Sequence, residues 1–204
     1  MSQIRYAVAA VLKSLVILSL SISLVVLTGQ WSYRLFATVY DVATPVGLSK
    51  EQLFINIDQL MYYLISPFQA TLSFANFSSS AGGLQHFVEV KRLMQWNFML
   101  SIIGIVYLIW SLRTKRTKRI AYYAQQWLKL TAYFPLILLF FIVIAFDKLF
   151  VLFHQLFFRN DLWLFNPNTD PIINVLPQSL FMMYFVLAIV IYEVIVWVYR
   201  KSIK

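Results

Sequence analysis

His86 and His154 are the two histidines of this 204-residue chain. With an ordinary pKa of about 6.5, imidazole suits proton transfer near neutral pH. Glu89 follows His86 at i+3, so on a helix the two share a face and the carboxylate could hydrogen-bond the ring. Such a partner sets the imidazole tautomer and raises its basicity. Asp147 precedes His154 by seven residues, two helical turns away on the same face. If topology joins the two rings, one can take a proton and the other can supply one. The same residues allow a metal site, with His86, Glu89 and His154 as a two-histidine, one-carboxylate set, although nothing like HExxH supports it. They also allow a purely structural role, since histidine is at ease as a hydrogen-bonded polar residue at a lipid interface. With no cysteines, disulfides, thiol nucleophiles and thiolate metal sites are excluded. GxSxG, P-loop and GxGxxG patterns are missing, which removes the usual anchors of serine hydrolases and nucleotide-binding proteins.

The elements carrying these rings follow from composition. Hydrophobic residues make up 61% of the chain and charged residues 12%, with a mean hydropathy of +0.73. A soluble domain is about half apolar and roughly a quarter charged, so a soluble globular domain, a disordered tail and a collagen-like repeat are all excluded. A net charge of +9 would suggest nucleic acid in a soluble protein, but here the basic residues flank long apolar runs and indicate a membrane. A helical span needs about 20 mostly apolar residues. Four stretches qualify, at 7–27, 93–112, 130–146 and 179–199. Arg5 before an apolar core resembles a secretory signal, but the core is long and Leu27-Thr28-Gly29-Gln30 is a poor cleavage site, so the helix is read as retained.

Orientation follows from charge. Arg5, Lys13, Arg113, Lys115, Arg116, Lys118, Arg119, Lys129, Arg200, Lys201 and Lys204 fall on one side with no acid among them. The other side has six basic residues against seven acidic ones. The positive-inside tendency puts the first set and both termini in the cytoplasm. The expectation is one all-α integral membrane domain over 1–204, with four transmembrane helices. A small extracellular cap would form from 29–92 and 147–178, and 113–129 would be a cytoplasmic loop. The RTKRTKR run at 113–119 then needs no role beyond topology and contact with anionic lipid, and no nucleic-acid partner is expected. Glu193, inside the last span, lies close enough to Arg200 to snorkel or pair.

In the first outer segment, Ser49 and Gln52 form a capping box, and Leu53, Ile57, Leu60, Met61 and Leu64 recur at helical spacing. This predicts an amphipathic helix at 50–65, lying on the membrane or on neighbouring spans. Residues 69–77 alternate weakly and permit a short strand. Ser78-Ser79-Ser80-Ala81-Gly82-Gly83 reads as a flexible hinge before LQHFVEVKRL, the outer turns of the second span. In the second outer segment, DKLFVLFHQLFF continues the third span helically. Asn166-Pro167 makes an Asx-Pro turn, and Phe157, Phe158, Trp163 and Phe165 fit an interfacial aromatic belt.

HFVEVK at 86–91 resembles a His-x-x-Asp-Val-Lys signature, and FHQLFFRNDLWLFNPNTDPIINVLPQSLF at 153–181 resembles a second, longer signature of the same family. That family is the lipoprotein intramolecular transacylases of low-GC Gram-positive bacteria. The four spans, the cap after the first span and the chain length agree with it. The resemblance implies a plasma-membrane enzyme with its site at the extracellular face and no cofactor. It would move the sn-2 acyl chain of a diacylglyceryl-cysteine lipoprotein to the amine of that same N-terminal cysteine, leaving a lyso-form lipoprotein. The catalytic histidines of the family map onto His86 and His154. Glu89, Lys91, Arg159, Asp161, Trp163 and Asp170 are the candidate supporting residues. Phe87, Phe153, Phe157, Phe158 and Tyr62 are the candidate pocket, with membrane lipid around it.

The implied chemistry is reasonable. An α-amine with a pKa of about 7.7 needs only a modest base, whereas expelling the glycerol alkoxide needs a proton donor. Either imidazole could fill either role, and Lys91, Arg159 or a backbone N–H could hold the oxyanion. Three positions depart from the expected pattern: Glu89 in place of Asp, Gln178 in place of Glu, and Gly82-Gly83 in place of a more polar run. Two other readings remain at this level. One is a non-enzymatic membrane accessory or lipoprotein-binding subunit, and the other is a metal-dependent lipid hydrolase.

Overall fold

Every regular element is helical in the computed structural model, which describes residues 3–114 and 118–203, side chains 118 and 119 excepted. Six α-helices follow in order: α1 (Gln3–Leu27), α2 (Gly29–Val39), α3 (Lys50–Ile65), α4 (Ala81–Arg113), α5 (Lys118–Phe157) and α6 (Gln178–Ser202). Single 3-10 turns lie at Thr44–Val46 and Pro171–Val175. Four of the helices, α1, α4, α5 and α6, are long and apolar enough to cross a bilayer. The basic run at 113–119 falls largely outside the described residues.

At 1.5 Å per residue, the 33 residues of α4 make about 50 Å of helix, and the stretch of α5 before Ala145 alone, Lys118–Ile144, about 40 Å. A hydrocarbon core is only about 30 Å thick. Both helices are thus longer than a core requires; His86 lies near the start of α4 and His154 in the last turn of α5. The backbone of α5 leaves helical geometry at Ala145, nine residues before His154.

The chain divides into two units. The first gathers the chain up to Val25, Asn97–Ile144 and the chain from Tyr184 onward. Its core packs Ala10, Ile17, Leu108, Leu128, Tyr192 and Val196. Gly104 allows α1 and α4 to approach closely, because a Cβ there would run into the Val16 side chain. Asn97 donates from Nδ2 to Ser23 Oγ (2.8 Å) and Ser19 O (3.1 Å), and Ser101 Oγ pairs with both Ser19 and Ser23 Oγ. Polar side chains in a membrane helix satisfy one another in this way, for about 0.6–2 kcal/mol per bond.

The second unit comprises Val26–Trp96 and Ala145–Met183. The capping box forms as expected, with Gln52 N donating to Ser49 Oγ and Ser49 N to Gln52 Oε1. At the other end of α3, Gln95 Nε2 donates to the carbonyls of Leu64 and Ile65. Helix α2 was not expected from the sequence. It is held by buried Tyr33, Phe36 and Ala37, and the Tyr33 hydroxyl donates to Val175 O at 2.8 Å. Residues 69–77 form no strand. They hang on α3 through side chains instead, with Asn76 N donating to Asn56 Oδ1 (3.0 Å) and Ala75 N to Gln59 Oε1 (2.9 Å). Backbone groups satisfied by side-chain amides need no partner strand. The expected hinge is also shorter than 78–83, because α4 begins at Ala81 and takes in both glycines.

Candidate active site

Both imidazoles belong to the second unit. The start of α4, which holds His86, is tied to the loop at 166–170. Ser80 Oγ accepts from Gly83 N at 2.9 Å, satisfying one of the free donors of the first turn. Ser80 N in turn donates to Asp170 Oδ1 at 2.8 Å, and Thr169 Oγ1 donates to Asp170 Oδ2 at 2.7 Å. The loop is shaped by Asn166, whose Oδ1 accepts from Asn168 N as an Asx turn and whose carbonyl accepts from Thr169 N and Asp170 N.

Asp170 is 3% exposed. Burial pushes its carboxyl pKa up, but the bonds from Thr169 and Ser80 outweigh that and hold it below the usual aspartate range. A depressed folded pKa stabilises the fold above the unfolded value of about 3.9, and the contribution is lost as pH falls through the folded pKa. Acidification below about pH 4 is therefore expected to loosen this junction. Protection factors for the Ser80 and Gly83 amides should fall in that range, and the fall should vanish in Asp170→Asn. Equal protection at pH 7 and pH 3 in the wild type would contradict this.

The two imidazole ring centroids lie 5.9 Å apart, with a 34° interplanar angle. Phe158 sits against both, 4.7 Å from the His86 ring and 5.6 Å from the His154 ring. Phe165 meets His86 edge-on at 5.5 Å. Phe150 packs on His154 at 4.2 Å, and Trp163 stacks on it at 4.6 Å. Both histidines are buried, at 6% and 9% exposure. Because a carbonyl can only accept, the 2.7 Å contact between His154 Nδ1 and Phe150 O requires Nδ1 to carry a proton. In the neutral ring this leaves Nε2 with the basic lone pair. His86 Nδ1 has no hydrogen-bond partner among the described residues.

Several expected partners behave otherwise. Glu89 does not hydrogen-bond His86. Its carboxylate accepts from Asn160 Nδ2 at 3.0 and 3.2 Å, and so clamps α4 to the turn after α5. Lys91 donates to Gln69 O and lies 4.4 Å over the Tyr63 ring, which engages it in holding the 66–80 stretch. Arg159 and Asp161 are exposed on the turn, where Asp161 O accepts from Leu164 N at 3.1 Å.

Of the expected pocket rings, Phe158 is shared by both imidazoles, Phe87 lies 6.2 Å from His86, and Phe153 lies 5.6 Å from His154, with Phe157 beyond Phe153 at 4.7 Å. Tyr62 is instead 62% exposed on α3 and makes no ring contact with either imidazole. Trp163, expected as a supporting residue, and Phe165, expected only in the interfacial belt, join Phe158 against the imidazoles. Phe150 and Asn160 were missed by sequence reasoning. Asn160 sits in the second signature, but its partner Glu89 is 71 residues away, a pairing no local pattern displays. Among the described residues, no three His, Cys, Asp or Glu side chains group as a metal site.

The geometry thus offers two imidazoles in an aromatic, water-poor cage, where ring nitrogens can exchange protons with one bound group. The family described as lipoprotein intramolecular transacylase Lit matches residues 7–181. The chain is also similar to the in meso structure of the membrane integral lipoprotein intramolecular transacylase Lit from Bacillus cereus. Identity is 28% and the TM-score 0.74, over 98% of this chain and 97% of that one. A variant of that protein with one histidine substituted by alanine aligns at 27% identity and a TM-score of 0.69, over 98% and 93% of the two chains. No curated protein sequence matches this chain.

Proposed function

Since this chain belongs to the lipoprotein intramolecular transacylase family, an acyltransferase family with membrane-integral structures, we propose that it moves the sn-2 acyl chain of a diacylglyceryl-cysteine lipoprotein onto the amine of that same cysteine. The observation that carries this reading is the imidazole pair, 5.9 Å apart, with the His154 tautomer set by Phe150 O. His154 Nε2 takes a proton from the attacking amine. The amine nitrogen bonds to the ester carbonyl carbon, the tetrahedral centre collapses, and the bond to the sn-2 glycerol oxygen breaks. The amine proton passes from His154 through His86, which burial and the neighbouring His154 keep neutral by lowering its pKa to about 4, one ring nitrogen of His86 accepting as the other gives its proton to the glycerol oxygen. Both rings end neutral, so no net proton is consumed. The products are an amide and a free glycerol hydroxyl, and no cofactor is needed.

Intramolecular attack makes conformational restraint the main demand. Holding the substrate folded can contribute about 7–11 kcal/mol in well-oriented systems. Phe158, Phe165, Phe150 and Trp163 supply that restraint, and they keep out water that would otherwise hydrolyse the ester. The charge asymmetry of the sequence supports cytoplasmic termini and a site at the outer face, where diacylated lipoproteins stand.

The test is expression in a bacterium whose lipoproteins carry diacylglyceryl-cysteine, followed by mass spectrometry of the N-terminal lipopeptides. The expected result is an acyl chain relocated to the amine with total mass unchanged. An unaltered lipopeptide population would refute the reading.

A further inference from the structure

A neutral hydrogen-bond donor lies unused beside the imidazole pair. Trp163 Nε1 is buried and, among the described residues, has no hydrogen-bond partner. Indole N–H can only donate, so it cannot be satisfied by becoming an acceptor. A buried donor without a partner is a standing cost, and native proteins retain few of them. Its neighbours hold the ring in this place. The indole stacks on the His154 ring at 4.6 Å and 27°. It rides on a turn closed by Leu164 N to Asp161 O (3.1 Å) and by Leu162 N to Asn160 Oδ1 (3.1 Å). That turn is anchored to α4 by the Asn160–Glu89 bonds.

The proposed reaction has a matching need. When the amine adds to the ester, the carbonyl oxygen becomes an oxyanion that must be held in a site with little water. Neither cation suggested by the sequence is available for it: Lys91 is engaged with Gln69 O and the Tyr63 ring, and Arg159 is exposed. We propose that the Trp163 indole N–H donates to the sn-2 ester carbonyl oxygen and stabilises it as negative charge develops. This rests on the transacylase reading and adds its electrophilic group. The donor keeps its proton throughout; the amine proton still passes through the imidazoles to the glycerol oxygen. Asn160 and Glu89 are then positioning residues for the indole.

The experiment compares wild type with Trp163→Phe and with Trp163→3-benzothienylalanine, whose sulfur replaces the N–H while keeping the fused ring for stacking. Rates are read on a synthetic diacylglyceryl-cysteine lipopeptide in bicelles. Loss of the donor should lower kcat about 10²-fold, with KM and the pH profile unchanged. The melting temperature of the isostere variant should not fall, because the N–H it lacks has no partner among the described residues. Full activity in the isostere variant would overturn the donor assignment. A rate loss accompanied by a lower melting temperature would also overturn it, leaving a stacking role. A wild type that moves no acyl chain would overturn the transacylase reading itself, so the two failures are distinguishable.

Discussion

His154→Ala is expected to lower the transfer rate about 10²–10⁴-fold, the range lost with a positioned general acid or base. The substitution removes the Nε2 lone pair that Phe150 O orients through Nδ1, and it empties the space between Phe150 and Trp163. His86→Ala should cost a similar factor by withdrawing the proton donor for the leaving glycerol oxygen. The double variant should be little worse than either single one, because the two rings act on one proton path and their effects are not additive. Single-turnover transfer on a lipopeptide measures the rates. A thermal melt checks that each variant folds, since both rings are buried and Ala leaves a void. Wild-type rates in either folded variant would refute the role assigned to that histidine.

Gly83→Ala is expected to do the most damage from outside the ring cluster, and its neighbour gives the contrast. A Cβ on Gly83 would overlap the Asp170 carboxylate and press on Phe165 Cε1 at 3.3 Å. Asp170 cannot retreat without giving up Ser80 N or Thr169 Oγ1, and Phe165 packs on His86. The expected loss is about 1–3 kcal/mol of stability from the broken buried bond. A rate loss of up to about 10²-fold should accompany it as His86 is displaced. Gly82→Ala places its Cβ 3.3 Å from Leu162 Cδ2, the mobile end of a flexible side chain, and gains about 0.5–1 kcal/mol of helix preference over glycine. Gly82→Ala should therefore be neutral or slightly stabilising, and equal melting temperatures for the two variants would contradict this account. Neither glycine has a positive φ, so the requirement at Gly83 is room and not backbone freedom.

Much of this architecture was legible in the residues. Long apolar runs, about 20 residues each, leave a chain few options other than spanning helices, because backbone groups in lipid must bond within the helix. The capping box at Ser49 and Gln52 is local, three residues apart, and forms as written. The two histidines stood out by scarcity, and the long signature at 153–181 pointed to the family.

What the residues could not disclose depends on pairs far apart in the chain. Helix α2 is made by burial of Tyr33, Phe36 and Ala37, while its own sequence, rich in aromatic and β-branched residues, carries no strong helical preference. Glu89 shares a helical face with His86, yet Asn160 competes for its carboxylate and takes it. Gly82-Gly83 reads as a hinge from composition alone, and only the carboxylate of Asp170, 87 positions later, turns Gly83 into a packing requirement. Periodicity, caps and apolar length act over a few residues and survive in the sequence. Which donor meets which acceptor, and which donor is left waiting beside an imidazole, is decided only when distant segments fold together and exclude water from what they enclose.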